Sequence, residues 1–371
     1  MTIEQLEKEI DELATAYYNG EEKVSDKVYD ELIEELRILD PTNKRIPGMA
    51  GEEKNPAGYK KMAHSLVTGT LSKQMTTKDF EEWFTKMVKK GTSTFNISTK
   101  MDGIGIELQF VDGSLIHAIS RGDGVTGFDK AELVKLTAVK ANANFTGSVR
   151  GELILRNSDF NDPYFKGKKN PRNTVSGLFN RKLSELSAKD KEVISKVHFI
   201  AYDYLGEKQL KTKSEMMSFL SNAGFEIPLW KAVAVDAKTS IKKALEVIFE
   251  ARKEYDTLRS QSDQFALDGI VVFDDTIDYE DQKELVQNKA TALKFDLMVG
   301  RTKLLKIDWN LSGSRLTPIA VTEPVELDGT TVQHANLVNL NVISKLGIKI
   351  GDEIIMAKAG QIIPIVIGKA N

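Results

Sequence analysis

The chain has no cysteine, which removes disulfides and cysteine-ligated zinc from consideration. Histidine is scarce: His64, His117, His198 and His334 form no close-spaced pair, so no built-in structural metal site is expected. No apolar run approaches the roughly 20 residues of a membrane helix. Met1-Thr-Ile-Glu-Gln5 lacks the basic-then-apolar order of a signal peptide. Neither sign of charge dominates, because 51 Lys and Arg face 54 Asp and Glu for a net −3. A bulk basic field therefore does not announce a nucleic-acid partner, although basic residues can still cluster on one face. Internal repeats and low-complexity tracts are also missing. The expectation these absences leave is a soluble, cytoplasmic protein with no membrane attachment. With 371 residues, 41% hydrophobic and 28% charged, the chain has room for two or three domains and a sizeable core.

Ile3, Leu6, Ile10, Leu13 and Tyr17 recur at spacings of three and four, which predicts an amphipathic helix over 3–18. Ser25 can cap a second helix, running to about Leu39 before Pro41. Residues 41–58 hold three prolines and three glycines, a linker composition. From about 94 to 305, strands alternate with helical stretches at 78–90, 184–195 and 239–258. Tyr164 to Arg181 reads as a polar loop with a basic cluster, Lys166, Lys168, Lys169 and Arg172. From about 306 the pattern is almost entirely β, with short apolar strands at 319–321, in part of 342–350, at 353–356 and at 362–367. Short strands between glycine turns suggest a small barrel, of which the OB-fold is the commonest nucleic-acid-binding kind. The expected class is α+β in three domains. These are a small helical domain at 1–60, a mixed α/β domain with antiparallel sheets at 61–305, and an OB-fold β-barrel at 306–371.

Lys100-Met-Asp-Gly103 is the most informative stretch. It joins one alternating strand, Phe95 to Thr99, to another, Ile104 to Leu108. A covalent lysyl-nucleotide site needs an amine nucleophile, a nearby carboxylate such as Asp102, and a glycine such as Gly103 where backbone approaches a ligand closely. The same four residues also suit a plain hairpin with a solvated lysine. Five further segments combine charge with tight turns or strands: Ser120-Arg-Gly-Asp-Gly124, Val149-Arg-Gly-Glu-Leu153, His198-Phe-Ile-Ala-Tyr202, Leu267-Asp-Gly-Ile-Val-Val272 and Ala292-Leu-Lys-Phe295.

In order and spacing these segments resemble the nucleotidyltransferase motifs of the DNA ligase and mRNA-capping superfamily, and more closely those of bacterial-type NAD-dependent DNA ligases. Three stretches carry the closer resemblance: Arg121-Gly-Asp-Gly-Val-Thr-Gly127, Asn170-Pro-Arg-Asn-Thr-Val-Ser-Gly177, and Leu316 to Val332 with Lys349-Ile-Gly-Asp and Ala359-Gly-Gln-Ile-Ile-Pro364 after it. Leu71-Ser72 resembles the family's Leu-Ser pair. Tyr17-Tyr18 followed by Asp26, Tyr29 and Asp30 resembles its nicotinamide-mononucleotide-binding module. The last three share a helix face, where an aromatic ring and carboxylates suit a pyridinium cation; the plainer alternative is core packing by Tyr29 and helix-terminal charges.

The resemblance implies that Lys100 attacks the adenylyl phosphorus of NAD with Mg²⁺ assisting, that AMP passes to the 5′-phosphate of nicked double-stranded DNA, and that a 3′-hydroxyl displaces AMP. It makes Lys100, Asp102 and Lys294 the catalytic candidates. Tyr17, Tyr18, Asp26, Tyr29, Asp30, Ser72, Gly103, Arg121, Glu152, Arg172, Tyr202 and Asp268 are the candidates for holding the cofactor. Lys294, Arg121 and Arg172 supply cations that favour a neutral Lys100 amine and hold the α-phosphate. Departures from the family pattern stand at Ser98, where glutamate is usual, and at Phe273, where lysine is usual. They also stand at Asn180-Arg181, at Leu311-Ser-Gly-Ser314 and at Val338-Asn339. The family normally continues into a zinc finger, helix-hairpin-helix repeats and a BRCT domain. The expectation is therefore a piece of a longer ligase, a naturally short ligase, or one subunit of a split enzyme whose separate chain carries the zinc-finger and helix-hairpin-helix modules. A non-catalytic DNA-binding subunit and an ATP-dependent nucleotidyltransferase are the competing expectations.

Overall fold

The computed structural model describes residues 2–371 apart from 19–28, 30–31, 34, 37–38, 41–42, 44, 46–57, 68, 74–76, 140–142, 162, 166–169, 236–239, 259–260, 262–263, 281–285, 295–298, 313–314, 328–329, 338–339, 360–362 and 371. Contacts divide the chain into two compact units: Met1–Glu21 with Leu36–Phe295, and Glu22–Glu35 with Asp296–Asn371. Among the described residues no helix is long and apolar enough to cross a membrane.

In chain order, the first unit carries α1 (Ile3–Tyr18), β1 (Lys61–Ala63), β2 (Thr70–Lys73), α2 (Thr77–Lys89), β3 (Thr94–Met101), β4 (Ile104–Val111), β5 (Ser114–Ser120), β6 (Thr126–Phe128), α3 (Ala131–Val134) and β7 (Gly147–Ile154). It continues with α4 (Pro171–Phe179), α5 (Ala188–Ile194), β8 (His198–Gly206), α6 (Lys213–Asn222), β9 (Trp230–Ala234), α7 (Ile241–Leu258), β10 (Leu267–Asp274) and β11 (Val286–Lys294). Two sheets dominate it, ordered β2-β11-β10-β3-β9 and β5-β4-β7-β8. Pairing is antiparallel apart from β2 with β11.

The five-stranded sheet buries one face under α2 and α7, where Phe80, Phe84, Phe95, Ile97, Ile248, Ile270 and Val272 form one apolar cluster. The residues between them on β3 and β10 project from the other face, because side chains alternate along a strand. The four-stranded sheet has its own core of Leu108, Phe110, Val149, Leu153, Val175, Phe199 and Tyr204.

The stretch 164–181, expected as loop, contains α4. Asn170 accepts from Asn173 N at 2.6 Å, and Pro171 fills the first turn, where a missing N–H is harmless.

The second unit carries β12 (Val299–Ser312), β13 (Arg315–Leu327), β14 (Thr330–Asn336), α8 (Leu340–Leu346), β15 (Glu353–Ala359) and β16 (Ile363–Lys369). The five strands close into a barrel in the order β12-β13-β14-β16-β15. Its interior is filled by Leu304, Ala320, Leu327, Ile354, Met356 and Val366. A helix between the third and fourth strands replaces the strand expected within 342–350. Leu340, Ile343 and Leu346 recur every three residues, and Gly347, at φ 60°, ends the helix by donating to Ile343 O at 3.1 Å.

A buried charge network ties α6 to the four-stranded sheet. Arg150 on β7 donates to Asp203 on β8, and Lys213 Nζ donates to Asp203 Oδ1 at 2.8 Å. The three side chains are 4–7% exposed. Burial alone would raise the Asp203 carboxyl, but Lys213 and Arg150 outweigh it and hold it down at about 2. Removing one member of such a set strands the others without a counter-charge. Asp203→Ala is therefore expected to lower the unfolding free energy by about 3–5 kcal/mol in urea titrations at neutral pH. Because the folded-state value is depressed, this contribution is present above the ordinary aspartate range of about 3.9 and fades as pH falls toward about 2. The gap between variant and parent should narrow in the same direction.

Candidate active site

Asp102-Gly103 is not a hairpin turn. β3 belongs to the five-stranded sheet and β4 to the four-stranded one, so this dipeptide is where the chain passes between sheets. Asp102 N donates to Ala266 O at 2.9 Å, anchoring the crossing beside the start of β10. A Cβ on Gly103 would lie 2.6 Å from Leu153 O and 2.9 Å from Glu152 Cβ. Glycine is what lets the crossing press onto β7.

That close approach gathers charge from distant segments. Lys100 Nζ, at the end of β3, donates to Asp268 Oδ2 on β10 at 2.7 Å, and the two side chains are 27% and 24% exposed. Asp102 Oδ1 accepts from Arg172 Nη1 at 3.2 Å, the arginine being delivered by the first turn of α4. Glu152 on β7 accepts from Tyr202 Oη on β8 at 3.2 Å. Burial raises the Glu152 carboxyl above its ordinary value, while Arg172, Lys100 and Arg121 pull it the other way. Burial and then the Glu152 charge raise the Tyr202 hydroxyl.

Arg121 is placed by a tight hairpin between β5 and β6. Asp123 accepts from Val125 N at 3.0 Å, Thr126 N at 2.6 Å and Thr126 Oγ1 at 2.8 Å. Gly122 sits at φ 53°, and a side chain there or at Gly127 would collide with backbone carbonyls. The glycines and the aspartate of Arg121-Gly-Asp-Gly-Val-Thr-Gly127 thus build the turn, and the arginine is the residue it presents.

The structure brings together Lys100, Asp102, Gly103, Arg121, Glu152, Arg172, Tyr202 and Asp268. Lys294 stands in register with Gly269, which is in register with Lys100 on its other side. Ser72, on β2, pairs with Thr291 of β11. The side chains of Lys294 and Ser72 lie outside the described residues, as do those of Tyr17 and Tyr18, whose backbone ends α1. Asp26 and Asp30 lie wholly outside the described residues, with Lys166, Lys168 and Lys169 of the basic cluster. Tyr29 is helical and half-buried.

The two departures on the strands fall on the face of the sheet opposite the α2/α7 core. Ser98 is buried opposite Val271. Phe273 packs with Val271, Ala290 and Leu71, and Lys213 Nζ stands 5.0 Å from its ring centre. At the Asn180-Arg181 departure, Arg181 pairs with Asp190 at 3.0 Å.

Chemically, the cluster offers an amine beside three carboxylates and two guanidinium groups. Lys100 and Arg172 are held by carboxylates that phosphate oxygens can replace, since guanidinium and ammonium groups recognise both. Among the described residues, no group of three or more His, Cys, Asp or Glu could hold a metal ion. Sequence reasoning missed Glu107 and His64, a buried pair that meets the Arg121 backbone. Glu107 lies between Ile106 and Leu108, and the segment carries no local pattern that marks it as paired.

The sequence matches the family model of the NAD-dependent DNA ligase adenylation domain over residues 56–296, and that of the NAD-dependent DNA ligase OB-fold domain over residues 301–371. It is similar to a DNA ligase of Treponema denticola, 35% identical over 98% of this chain and 56% of that protein. A DNA ligase of Treponema pallidum is 32% identical over 98% of this chain and 44% of that protein. The chain spans about half the length of these curated relatives. A solved structure from a structure–function analysis of Lig E DNA ligases aligns at TM-score 0.45 and 13% identity, over 83% of this chain and 100% of that one.

The Gly103 contact is the constraint that joins the two sheets at the cluster. Gly103→Ala is expected to cost about 1–3 kcal/mol, the ordinary price of forcing a methyl group into occupied space, read as a lowered midpoint in thermal or urea unfolding. An unchanged midpoint would mean that the crossing does not press on β7.

Proposed function

Since the chain belongs to the NAD-dependent DNA ligase family, we propose that it is the adenylation and OB-fold core of a ligase that takes its adenylyl group from NAD. The observation that carries this reading is the convergence of Lys100 and Asp268 with Glu152, Asp102, Arg121 and Arg172 from five separate stretches of sequence. In the proposed reaction the unprotonated Lys100 Nζ attacks the adenylyl phosphorus of NAD. A P–N bond forms, the P–O bond to nicotinamide mononucleotide breaks, and the leaving phosphate takes the electron pair. Arg121, Arg172 and Lys294 neutralise phosphate charge, and such transfer needs little from the protein beyond positioning and charge. Asp268 holds the Lys100 amine in place before attack, and Asp102 holds Arg172. Glu152, with Tyr202, is suited to accept from ribose hydroxyls.

Mg²⁺ belongs to this proposal as an ion carried mainly on phosphate oxygens, its usual mode of binding. Glu152 and Asp268 are the carboxylates that would meet it, and it would add positive charge at the reacting phosphate. AMP then passes to the 5′-phosphate of nicked DNA, and the 3′-hydroxyl displaces it. In the barrel, Lys306 already pairs with Asp308 at 2.9 Å and Lys369 with Asp352 at 2.8 Å. DNA affinity is therefore proposed to be modest and salt-sensitive, and to be raised by a separate chain carrying zinc-finger and helix-hairpin-helix modules. The proposed location is the cytoplasm, where a bacterial-type ligase meets DNA.

The test is incubation with NAD labelled in its adenylyl group and, separately, with labelled ATP. Covalent label from NAD alone is expected. Label from ATP alone would move the protein to the ATP-dependent class. A non-catalytic DNA-binding subunit is the second reading, favoured by the buried apolar setting of Phe273; it requires DNA binding with no covalent label at any NAD concentration.

A further prediction separates cofactor choice from chemistry. Tyr17, Tyr18, Asp26, Tyr29 and Asp30 are proposed to bind the nicotinamide half. The double variant Asp26→Ala/Asp30→Ala should lose labelling from NAD yet seal a nick that is already 5′-adenylated, because nicotinamide takes no part in that step. Unchanged NAD labelling in the variant would remove these residues from the cofactor site.

A further inference from the structure

His64 follows β1 directly and continues its run beside the Arg121 hairpin. β1 pairs with β6, and His64 N donates to Val125 O at 2.9 Å. Its side chain is 1% exposed. One ring nitrogen, Nδ1, lies 3.1 Å from Glu107 Oε2, and the other, Nε2, lies 3.1 Å from the backbone oxygen of Arg121.

Glu107 is itself fully buried. Besides the His64 contact, its carboxylate accepts from Ser65 N at 2.9 Å, Gln109 Nε2 at 2.8 Å and Leu66 N at 3.3 Å. Burial opposes its ionisation, but the bonds from His64, Gln109 and Ser65 prevail and hold it at about 2. Arg150 is the other ionisable group beside it, in register with Glu107 on β7, and its own bonds go to Asp203 and to Val67 O.

A backbone carbonyl can only accept a hydrogen bond, and so can an ionised carboxylate. A neutral imidazole has one N–H and one lone pair, so it satisfies one of these two neighbours and turns a lone pair on the other. An imidazolium satisfies both. The alternative, a proton on Glu107 donated to Nδ1, gives up the carboxylate that three other N–H groups already address.

We propose that His64 is held as an imidazolium and is a positioning residue for Arg121, bridging the buried Glu107 carboxylate to the Arg121 carbonyl so that the guanidinium stays beside Glu152 and Lys100. The inference deepens the reading of this cluster as an adenylation site. The hairpin fixes the shape of the turn, and His64 fixes where that turn sits relative to β4. The contact is to the backbone carbonyl and does not engage the guanidinium itself.

Two measurements on the full chain test this, and the first does not depend on activity. Nitrogen-15 NMR of the four histidines at neutral pH should show a ring with both nitrogens protonated, assigned to His64 by its loss in His64→Gln. A His64 spectrum with one unprotonated ring nitrogen would overturn the charge state even if the enzyme is active.

The second is single-turnover adenylation from NAD in a double-mutant cycle with Arg121→Ala, with unfolding midpoints recorded for every variant. His64→Ala should slow adenylation on the order of tenfold to a hundredfold, the scale of a small displacement of a reacting geometry. His64→Gln keeps one donor for the Arg121 carbonyl and should fall between. In the Arg121→Ala background, His64→Ala should change the rate by less than about twofold, since coupled residues are non-additive. Independent, multiplying effects would overturn the positioning role. If the parent protein takes no label from NAD, the functional reading and its positioning claim fall together, while the NMR result still decides the state of His64.

Discussion

Everything at the candidate site depends on one close approach, the passage of the chain from one sheet to the other at Asp102-Gly103. Without a side chain at Gly103, backbone can lie against Leu153 O and Glu152 Cβ. That contact brings the end of β3, carrying Lys100, next to β7, carrying Glu152. β10 adds Asp268 alongside β3, and α4 adds Arg172 to Asp102. A larger residue at the crossing would separate the sheets, and the charges would no longer share a neighbourhood. The proposed chemistry therefore rests on a steric feature before it rests on an electrostatic one.

The electrostatics then follow a single pattern. Three carboxylates of the first unit are each met differently. Asp203 lies between Arg150 and Lys213 and is held ionised. Glu107 gathers four donors, His64 among them, and is also held ionised. Glu152 has one hydrogen bond from Tyr202 and three cations acting on it through space, and burial still raises it. The first two are closed structural sets. The third draws on cations that act through space, Lys100 among them, and Lys100 is partly exposed. An arrangement of that kind stabilises an incoming anion better than a site whose charges are all matched internally.

The strands, several helices and the barrel were legible in the sequence because alternation and threefold-to-fourfold spacing report directly which face is buried. α1 ends at Tyr18 as its apolar spacing indicates. α4 was missed although its signals are local: Asn170 as cap and Pro171 in the first turn were read as loop residues because of the charges around them. α8 was read as strand because Val342 and Ile343 favour extended backbone, whereas Ile343 and Leu346, three apart, are the side chains the helix packs against the barrel core. Lys100, Asp268, Glu152 and Arg172 could be picked out individually and through a family resemblance. Their partners could not, since Lys100 and Asp268 are 168 residues apart. The His64–Glu107 and Arg150–Asp203–Lys213 sets left no trace in any local pattern, as their logic exists only once the sheets have formed.

The central claim is that the amine at the end of β3 is the nucleophile this cluster serves. Peptide mass spectrometry after incubation with NAD tests it most directly, by locating the added AMP along the chain. The account requires the adduct on the peptide containing Lys100, carried by Lys100 itself. An adduct on Lys294, on Lys213 or on any other lysine would contradict it.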